Sequence, residues 1–193
     1  MNPPKDSLLI IGAGQYGLVA LEIAQAMGCF DKIAFLDDSG TPSQSVIGTT
    51  RDIEKFAADF HYGFVAIGNP QVRRAITEKL QSNGIAPATL IHPTAYVSQS
   101  AQLQMGCCIE PLAVVQTGVI LGTATFVASG AVIRHNATVG DFCHIDCNAV
   151  IQTGASVPDN TKVPCNSVFG TGFASLRRQA DKLNSTDTPN EAH

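Results

Sequence analysis

The chain has 193 residues, a formal net charge of −4, 45% hydrophobic residues, 15% charged residues and no Trp. So high an apolar fraction with so few charges argues against an intrinsically disordered chain. The absence of a Lys/Arg cluster argues against nucleic acid or an anionic membrane as a partner. The length allows one domain or two small ones.

The N-terminal segment contains no long apolar stretch. Two prolines lie within residues 1–6, and the first apolar run covers only residues 8–11. This run is too short for a secretory signal and far shorter than the stretch of about 18 residues that crosses a membrane. We therefore expect a soluble, cytoplasmic protein.

Strands and helices are predicted to alternate in the first half of the chain. The strands are expected at residues 7–11, 32–36 and 64–67, and the helices at residues 18–27 and 70–82. Gly28 is a typical helix stop and Pro70 a typical helix start. The order predicts a small doubly wound sheet with parallel strands.

A glycine-rich loop joins the first strand to the first helix. Gly12, Gly14 and Gly17 form a Gly-x-Gly-x-x-Gly pattern, which lets a backbone approach a phosphate at a helix N-terminus. Asp37 lies 20 residues after Gly17, where a carboxylate can meet a ribose or a base. The glycine pattern alone is also compatible with a tight turn. About 85 residues hold only half of a dinucleotide fold, which favours a mononucleotide-sized ligand over NAD.

The second half of the chain carries a repeat of six residues. Large apolar residues recur at every sixth position from residue 91 to residue 169, fourteen in all, and the slot four residues after each is small or β-branched. A period of six fits neither a strand nor an amphipathic helix, but it is typical of a β-helix with three flat sides. Roughly 84 residues give about 4.7 coils. Because the flat faces of such a prism commonly bury against copies of themselves, we expect a homotrimer.

The chain has six cysteines, and those within the repeat occupy different positions. Cys107 and Cys143 fall in the small interior slot and are predicted to fill the core, whereas Cys147 and Cys165 fall near a corner. Without a secretory signal, an oxidised framework is not expected. Cys143, His144 and Cys147 have the spacing of metal ligands, but structural zinc takes four ligands and no second pair supplies them, so we expect no metal.

Several motifs, taken together and in order, resemble a known family. They are residues 11–17 (IGAGQYG), 35–38 (FLDD), 66–69 (AIGN) followed by Arg73 and Arg74, 91–95 (IHPTA), 133–136 (IRHN) and 139–144 (VGDFCH). Over residues 7 to about 170, the chain resembles the bacterial sialic-acid and amino-sugar O- and N-acetyltransferases of the hexapeptide family.

The resemblance implies a left-handed parallel β-helix behind a Rossmann-like half domain, in a trimer that binds acetyl-CoA between neighbouring prisms. His135 matches the catalytic base, with Asn136 beside it, and His144 matches a histidine near the CoA. The implied nucleotide-sugar site consists of Gly12, Gly14, Gln15, Tyr16, Gly17, Asp37, Asp38, Gly68 and Asn69.

Departures from the family pattern concern both sites. Gln15 and Tyr16 stand where the family has Gly-His, and Asn136 stands where a glutamate usually orients the base. The prism is expected to be shorter by about one coil, and the Gly-x-Pro-Ala ending is absent. Instead, a short basic helix is expected at residues 174–183 and a disordered tail at residues 184–193.

Acyl transfer from a thioester needs a base, donors for the oxyanion and alignment of the two substrates. His135 can be the base near pH 7, although a corner histidine is as often a solvated surface residue. Asp141 and Asp146 are candidates to replace the missing glutamate, with solvated turn residues as the favoured interpretation. A backbone N–H near Gly154 is the expected oxyanion donor and CoA contact.

Cations near the expected CoA phosphate are few. Lys162, Arg177 and Arg178 are the candidates, and an exposed helix end is the favoured interpretation for them. Arg73 and Arg74 open the second helix, where one could reach a phosphate, although a solvated face is at least as compatible with the pattern. His61 and His92 are interpreted as structural.

The sequence therefore predicts a nucleotide-sugar-binding α/β Rossmann-like half domain at residues 1–88, an all-β left-handed β-helix at residues 89–172, and a helix with a tail at residues 173–193. The predicted function is acetyl-CoA-dependent acylation of an amino or hydroxyl group of a nucleotide-linked amino-sugar, for surface glycans. One alternative is a non-catalytic nucleotide-sugar-binding trimer with a regulatory or scaffold role, which Tyr16 and Asn136 suggest. Another, an NAD-linked reductase, is disfavoured by the half-sized nucleotide unit.

Overall fold

The structure is a computed structural model that describes residues 6–39 and 45–170. The helix expected at residues 174–183, which includes Arg177 and Arg178, and the tail expected at residues 184–193 lie outside the described residues. Among the described helices, none combines the length and the apolar character needed to cross a membrane.

Strands and helices alternate in the N-terminal part. Its elements are β1 (Asp6–Ile11), α1 (Gln15–Met27), β2 (Phe30–Leu36), β3 (Val46–Gly48), a 3₁₀ helix (Thr50–Phe56), β4 (Tyr62–Val65), α2 (Pro70–Ser82) and β5 (Ala86–Pro87). The strands pair in parallel in the order β3-β2-β1-β4-β5. In this doubly wound order, the carboxyl ends of β1 and β4 border the crevice where such sheets bind ligands.

The predicted elements of this part are present, with strand bounds shifted by one or two residues and two larger differences. Helix α1 begins at Gln15 rather than residue 18, because Gly14 of the glycine loop is itself the N-cap. Strands β3 and β5 and the 3₁₀ helix were not predicted, since segments of two or three residues, or a single 3₁₀ stretch, are too short to show a hydrophobic period.

Both faces of the sheet are buried, each by a different partner. On one face, Leu8, Ile10 and Phe64 join α1 and prism residues such as Cys108 and Phe126 in one apolar cluster. The residues that pack on the other face come from the strands, the 3₁₀ helix and α2, and include Leu9, Ile11, Ile53, Phe60 and Leu80. The sheet is therefore packed directly against the prism.

The C-terminal part is a prism of short parallel strands. They are β6 (Leu90–Ile91), β7 (Tyr96–Val97), β8 (Gln102–Leu103), β9 (Cys108–Ile109), β10 (Val114–Val115), β11 (Ile120–Leu121), β12 (Phe126–Val127), β13 (Val132–Ile133), β14 (Thr138–Val139), β15 (His144–Ile145), β16 (Val150–Ile151), β17 (Ser156–Val157), β18 (Lys162–Val163) and β19 (Val168–Phe169). They stack into three sheets, β6-β9-β12-β15-β18, β7-β10-β13-β16-β19 and β8-β11-β14-β17.

The second residue of each strand points into the prism, as the repeat predicts. The interior from Ile109 to Val163 is at most 4% exposed, and the first and last coils are partly buried. Cys107 and Cys143 are fully buried in this core, which confirms their prediction. Burial raises the pKa of Cys107 to about 12, so it stays a neutral thiol.

The corners of the prism need left-handed backbone. Every sixth residue has a positive φ, namely Gly106, Leu112, Gly118, Ala124, Gly130, Asn136, Phe142, Asn148, Gly154, Asn160 and Asn166. Most of these residues are glycine or asparagine, which tolerate this conformation. Leu112, Ala124 and Phe142 do not, and each carries a strain of about 1–2 kcal/mol.

The first residue of each strand points outward, which gives each face one column of side chains. The covered column faces the N-terminal part and consists of Leu90, Cys108, Phe126, His144 and Lys162. The open column consists of Tyr96, Val114, Val132, Val150 and Val168. The third column consists of Gln102, Ile120, Thr138 and Ser156.

Candidate functional site

The glycine loop brings the start of α1 close to β1. Gly12 has a φ of +102°, and a Cβ added to Gly17 would lie 2.1 Å from the carbonyl oxygen of Gly12, so both positions require glycine. Helix α1 begins without a side-chain cap and without an acidic residue in its first turn. Its first N–H groups have no acceptor within the helix, and such a terminus attracts an anion such as a phosphate.

Asp37 ties this loop to the end of β2. Its carboxylate accepts hydrogen bonds from the backbone N–H of Ala13 at 2.7 Å and of Ser39 at 2.8 Å. Hydrogen bonding from the Ser39 side chain, followed by that from Ala13, lowers the pKa of Asp37. Gly14, Phe35 and Asp37 line a cleft of about 310 Å³, which we call the loop cleft.

Asp38 and Asn69 are already bonded to the backbone of neighbouring helices. Asp38 accepts from the N–H and the hydroxyl of Thr50, at 2.8 and 2.7 Å, and does not line the loop cleft. Asn69 caps α2 by accepting from the N–H groups of Gln71 and Val72. The contacts of Asp38 and Asn69 with a ligand stay predictions. In the structure, both side chains hold the backbone of the loops around the site.

A second cleft of about 370 Å³, which we call the domain cleft, lies between the N-terminal part and the prism. The N-terminal part contributes Tyr16, Gly68, Pro70 and Arg73, and the prism contributes Phe126, Phe142, His144, Asn160, Thr161 and Lys162. Because Tyr16 follows Gln15 in the first turn of α1, this cleft and the loop cleft flank the same helix N-terminus. Gln15 itself is exposed.

Aromatic rings form one wall of the domain cleft. Tyr16 stacks on Phe126 with ring centroids 4.7 Å apart, and His144 meets Phe126 edge-on at 5.9 Å. Burial lowers the pKa of His144, which favours the neutral imidazole. Burial, with a smaller contribution from Cys108 and Glu110, raises the pKa of Tyr16 well above its usual value. Both groups are therefore uncharged at neutral pH.

Arg73 fastens the two parts of the molecule together. It is 1% exposed, and its guanidinium donates to the carbonyl oxygens of Ala124 at 3.0 Å and Phe142 at 2.6 Å, two strained corner residues. It also donates to the carbonyl oxygens of Ile67 and Gly68 and lies 4.2 Å from the Phe126 ring centroid. The solvated face favoured from the sequence is therefore wrong for Arg73, because the side chain is buried. The phosphate contact stays a prediction.

His135 lies on another side of the prism. It lines a pocket with Tyr96, Gln116 and Thr117, at the corner that follows β13. Its backbone N–H donates to Gln116, and its Nε2 lies 3.2 Å from the hydroxyl oxygen of Thr153, one coil further on. The pocket begins beside Tyr96 of the open column.

The neighbours of His135 have backbone roles. Asn136 takes the left-handed corner with a φ of 58°, and the described hydrogen bonds include none between its side chain and the imidazole. The N–H of Gly154 donates to the carbonyl oxygen of His135 at 3.2 Å. The N–H of Gly154 itself is therefore already engaged. An oxyanion donor near Gly154 and the CoA contact of Gly154 both stay predictions.

The two aspartates named as candidates to replace the missing glutamate are engaged elsewhere. Asp141 accepts from the N–H of Thr123 at 2.7 Å, and Asp146 forms an ion pair with Lys162 at 3.2 Å. Among the described contacts of His135, the imidazole partner is Thr153. Thr153 was missed in the sequence, although its distance of one full coil from His135 was a usable signal.

The described metal-ligand clusters do not include the combination that the linear spacing suggested. The Cys143 thiol lies in the core and donates to the carbonyl oxygen of Pro158, whereas His144 points outward into the domain cleft. The structure instead brings Asp146, Cys147 and Cys165 together. A repeat of 18 residues, rather than local spacing, was the signal for this cluster.

Comparisons with known proteins agree with this architecture. The PglD N-terminal domain matches residues 7–80. A GDP-perosamine N-acetyltransferase of Escherichia coli O157:H7 is 28% identical over 117 residues, which cover 56% of this chain and 52% of that protein. The match thus spans about half the length of this curated relative.

Two solved structures have the same fold. The acetyltransferase domain of PglB from Neisseria gonorrhoeae FA1090 is 32% identical, with a TM-score of 0.72 over 86% of this chain and 91% of that chain. The same domain in complex with acetyl coenzyme A is 30% identical, with a TM-score of 0.64 over 87% of this chain and 100% of that chain.

A mutant of perosamine N-acetyltransferase from Caulobacter crescentus, in complex with CoA and GDP-perosamine, is 23% identical. Its TM-score is 0.74 over 84% of this chain and 88% of that chain, a likeness of fold. The predicted fold class is confirmed as an α/β part followed by a left-handed parallel β-helix.

Proposed function

Because the chain belongs to the hexapeptide-repeat family of bacterial amino-sugar acetyltransferases, we propose that it moves the acetyl group of acetyl-CoA to the amine of a nucleotide-linked amino-sugar. The observation that carries this proposal is the pair of clefts on either side of one uncapped helix N-terminus. Two relatives also support the proposal, because one is a GDP-perosamine N-acetyltransferase and the other is a solved acetyltransferase domain in complex with acetyl coenzyme A.

The nucleotide-sugar is proposed to lie across the start of α1. Its nucleoside occupies the loop cleft beside Asp37, and its phosphates meet the free N–H groups of the first turn of α1. Its sugar then reaches the domain cleft, where Tyr16 and Phe126 offer an aromatic wall and Gly68 leaves open space. The half-sized sheet suits one nucleotide with an attached sugar.

His135 is proposed as the general base. If the hydroxyl of Thr153 accepts a hydrogen bond from Nε2–H, the imidazole is held in one tautomer and Nδ1 keeps its lone pair. Thr153 would then orient the imidazole, as the glutamate usually does in the family, but without a negative charge. Asn136 then does not need to orient the imidazole, and it adopts the left-handed backbone of the corner, which asparagine tolerates.

The chemistry follows from this arrangement. Nδ1 of His135 removes a proton as the amine nitrogen attacks the thioester carbonyl, which gives a tetrahedral oxyanion. When the intermediate collapses, the C–S bond breaks and the leaving thiolate takes a proton from the imidazolium. The products are the N-acetylated sugar and free CoA, and the reaction needs no metal.

The site is proposed to be completed by a second copy of the chain. His135 and the domain cleft share no lining residue and open on different sides of the prism. The open column, with four valines and a tyrosine, runs beside the His135 corner and is apolar along its length. In a homotrimer packed through this column, the His135 corner of one copy can approach the domain cleft of the next, with CoA in the groove between them.

Transfer can be followed by the release of free thiol. Purified protein, acetyl-CoA and a panel of nucleotide-linked amino-sugars, with UDP and GDP carriers, should release thiol with at least one acceptor. The His135→Ala variant should lose this release. The His61→Ala variant should keep it, because His61 precedes the amino end of β4, whereas the proposed site lies at the carboxyl ends of the strands. The absence of release with every acceptor, or equal rates for wild type and His135→Ala, would contradict the proposal.

A second candidate function rests on Asn136. Since no carboxylate contacts the imidazole among the described residues, a trimer that binds nucleotide-sugar without catalysis, as a regulator or scaffold, is the alternative. Calorimetry separates the two functions, because an enzyme must also bind CoA. Tight binding of nucleotide-sugar with no binding of CoA would favour the scaffold.

A further inference from the structure

One corner of the prism gathers three groups that ligate metals. Asp146, Cys147 and Cys165 each present one ligand atom, and these atoms all lie within 4.8 Å of one another. No other such cluster occurs among residues 6–39 and 45–170. The proposed acetyl transfer uses none of these three side chains.

The β-helix repeat holds the two thiols in register. Cys147 and Cys165 are one coil apart at the same corner position, so their backbones stack about 4.8 Å apart. The N–H of Asn166 donates to the carbonyl oxygen of Cys147 at 3.0 Å, and the side chains of Asn148 and Asn166 also meet. Both asparagines have left-handed backbone, which fixes the turn after each cysteine. The spacing is therefore set before any ion binds.

The surroundings of the cluster favour a cation. The Asp146 carboxylate accepts from the backbone N–H of Cys147 at 2.9 Å and pairs with Lys162 at 3.2 Å. The buried carboxylate of Glu110 adds further negative charge near Cys147. Lys162 is the cation paired with this cluster among the described salt bridges.

We propose that Asp146, Cys147 and Cys165 bind one soft divalent cation of the zinc type. Two sulfur ligands and one carboxylate oxygen leave one tetrahedral position for water, which is the donor set that Zn²⁺ accepts. Two sulfurs on a tetrahedral zinc lie about 3.8 Å apart, within the span of the cluster. Each thiol releases its proton to solvent as its metal–sulfur bond forms. The Asp146 carboxylate exchanges its pairing with Lys162 for the ion, so Lys162 competes with the metal for this ligand.

The bound ion would cross-link two coils near the domain cleft. Asp146 and Cys147 follow β15 and Cys165 follows β18, so the ion joins the strands that carry His144 and Lys162. It would also draw the Asp146 carboxylate partly away from Lys162. With three protein ligands and one water, the site differs from the closed four-ligand zinc site considered in the sequence analysis. The cross-link does not depend on the proposed acetyl transfer.

The test uses the full-length, reduced protein with Zn²⁺ alone as the probe. After metal is removed with a chelator, titration against a chromogenic chelator should show one ion per chain. Cys147→Ser and Cys165→Ser should each weaken Zn²⁺ binding by more than about 100-fold, because loss of a ligand exceeds the usual effect of losing an outer partner. Cys29→Ser, an exposed free cysteine in the N-terminal part, should leave binding unchanged.

Two further measurements make the result independent of folding defects. Cd²⁺ should give an ultraviolet thiolate-to-metal charge-transfer band in wild type that is reduced in each cysteine variant, and Lys162→Met should strengthen Zn²⁺ binding by removing a competing cation. Binding that is equal in wild type and both cysteine variants, or no retained ion in folded wild type, would overturn the proposal. So would a Cys147–Cys165 disulfide that persists in a reducing glutathione buffer.

Discussion

The covered and the open columns of the prism have the same backbone and the same spacing, yet their side chains differ. The covered column changes along its length from buried apolar residues, such as Cys108 and Phe126, to the polar His144 and Lys162. The open column stays apolar throughout and includes Tyr96, which is 60% exposed. A face that is packed within the chain can end in a polar site, whereas an apolar face without a partner in the chain indicates a partner outside it.

The proposed function places its chemistry at both columns. The proposed sugar cleft lies at the end of the covered column, and His135, the proposed base, lies at the corner beside the open column. In this proposal neither place is complete in one chain, and packing of the open column against a second copy would complete the site.

The largest effect is expected at the corner beside the open column. His135→Ala should lower kcat by about 10²–10⁴-fold, the usual contribution of a general base. The KM for the nucleotide-sugar should change little, since the proposed sugar cleft is elsewhere. Steady-state thiol release measures both constants. A change in KM alone would show that His135 binds substrate rather than accepting its proton.

Charge on the open column should break the proposed trimer. Val132→Lys places an ammonium group in the middle of that column, and burial of an unpaired charge between copies is costly. We expect dissociation to monomers in analytical ultracentrifugation and a loss of activity of more than about tenfold. Thr138→Lys, at the exposed centre of the third column, is the matched control and should remain trimeric. An unchanged trimer for Val132→Lys would move the interface to another face.

On the covered side, two adjacent arginines should differ in their contribution to stability. Arg73→Leu removes the donors that hold four or more carbonyl groups and should lower the free energy of unfolding by about 2–4 kcal/mol. Arg74→Leu loses only a contact with the Phe142 ring, which is about 0.5–1 kcal/mol. Urea denaturation measures both values. Equal losses would mean that Arg73 does not fasten the two parts.

A smaller effect is expected from the positioning residue. Thr153→Val keeps the shape but removes the hydroxyl that meets Nε2 of His135, and kcat should fall by about tenfold. Thr153→Ser should restore most of the rate. The pH profile of kcat should shift for Thr153→Val and not for Thr153→Ser, because serine keeps the hydroxyl that contacts the imidazole and valine does not. A profile that is identical for both variants would assign Thr153 a purely structural role.

The smallest effect is a pH dependence at the loop cleft. Hydrogen bonds from Ser39 and Ala13 lower the pKa of Asp37 in the folded chain, so its stabilising contribution is present above its ordinary pKa of about 4 and declines below it. Asp37→Asn should therefore be less stable than wild type at about pH 6, with a smaller difference at about pH 3.5. Urea midpoints at the two pH values test this. A difference that grows on acidification would contradict the sign.

The fold could be predicted because its signals are periodic. The hexad repeat revealed the prism and placed Cys107 and Cys143 in its core, and the glycine pattern located the start of α1. Contacts between distant segments could not be predicted in the same way. Arg73 looks like a surface residue on α2, and only the packing of α2 against Ala124 and Phe142 shows why it is buried.

The stacking of the coils explains why the remaining contacts of the candidate site could not be predicted from the sequence. Thr153 on His135 and Cys165 beside Cys147 are both neighbours at a distance of one coil, which local motif spacing does not reveal. The corner role of Asn136 likewise follows from its positive φ, a property shared with residues every six positions along the chain.

The most direct measurement mixes two inactive variants. His135→Ala lacks the base, and Gly68→Trp should fill the domain cleft without a backbone clash, since a Cβ at Gly68 meets nothing within 4 Å. If the site is shared between copies, co-refolded mixtures should regain acetyl transfer, because some interfaces then pair an intact histidine with an open cleft. Mixtures that form mixed trimers yet stay as inactive as either variant alone would contradict the account.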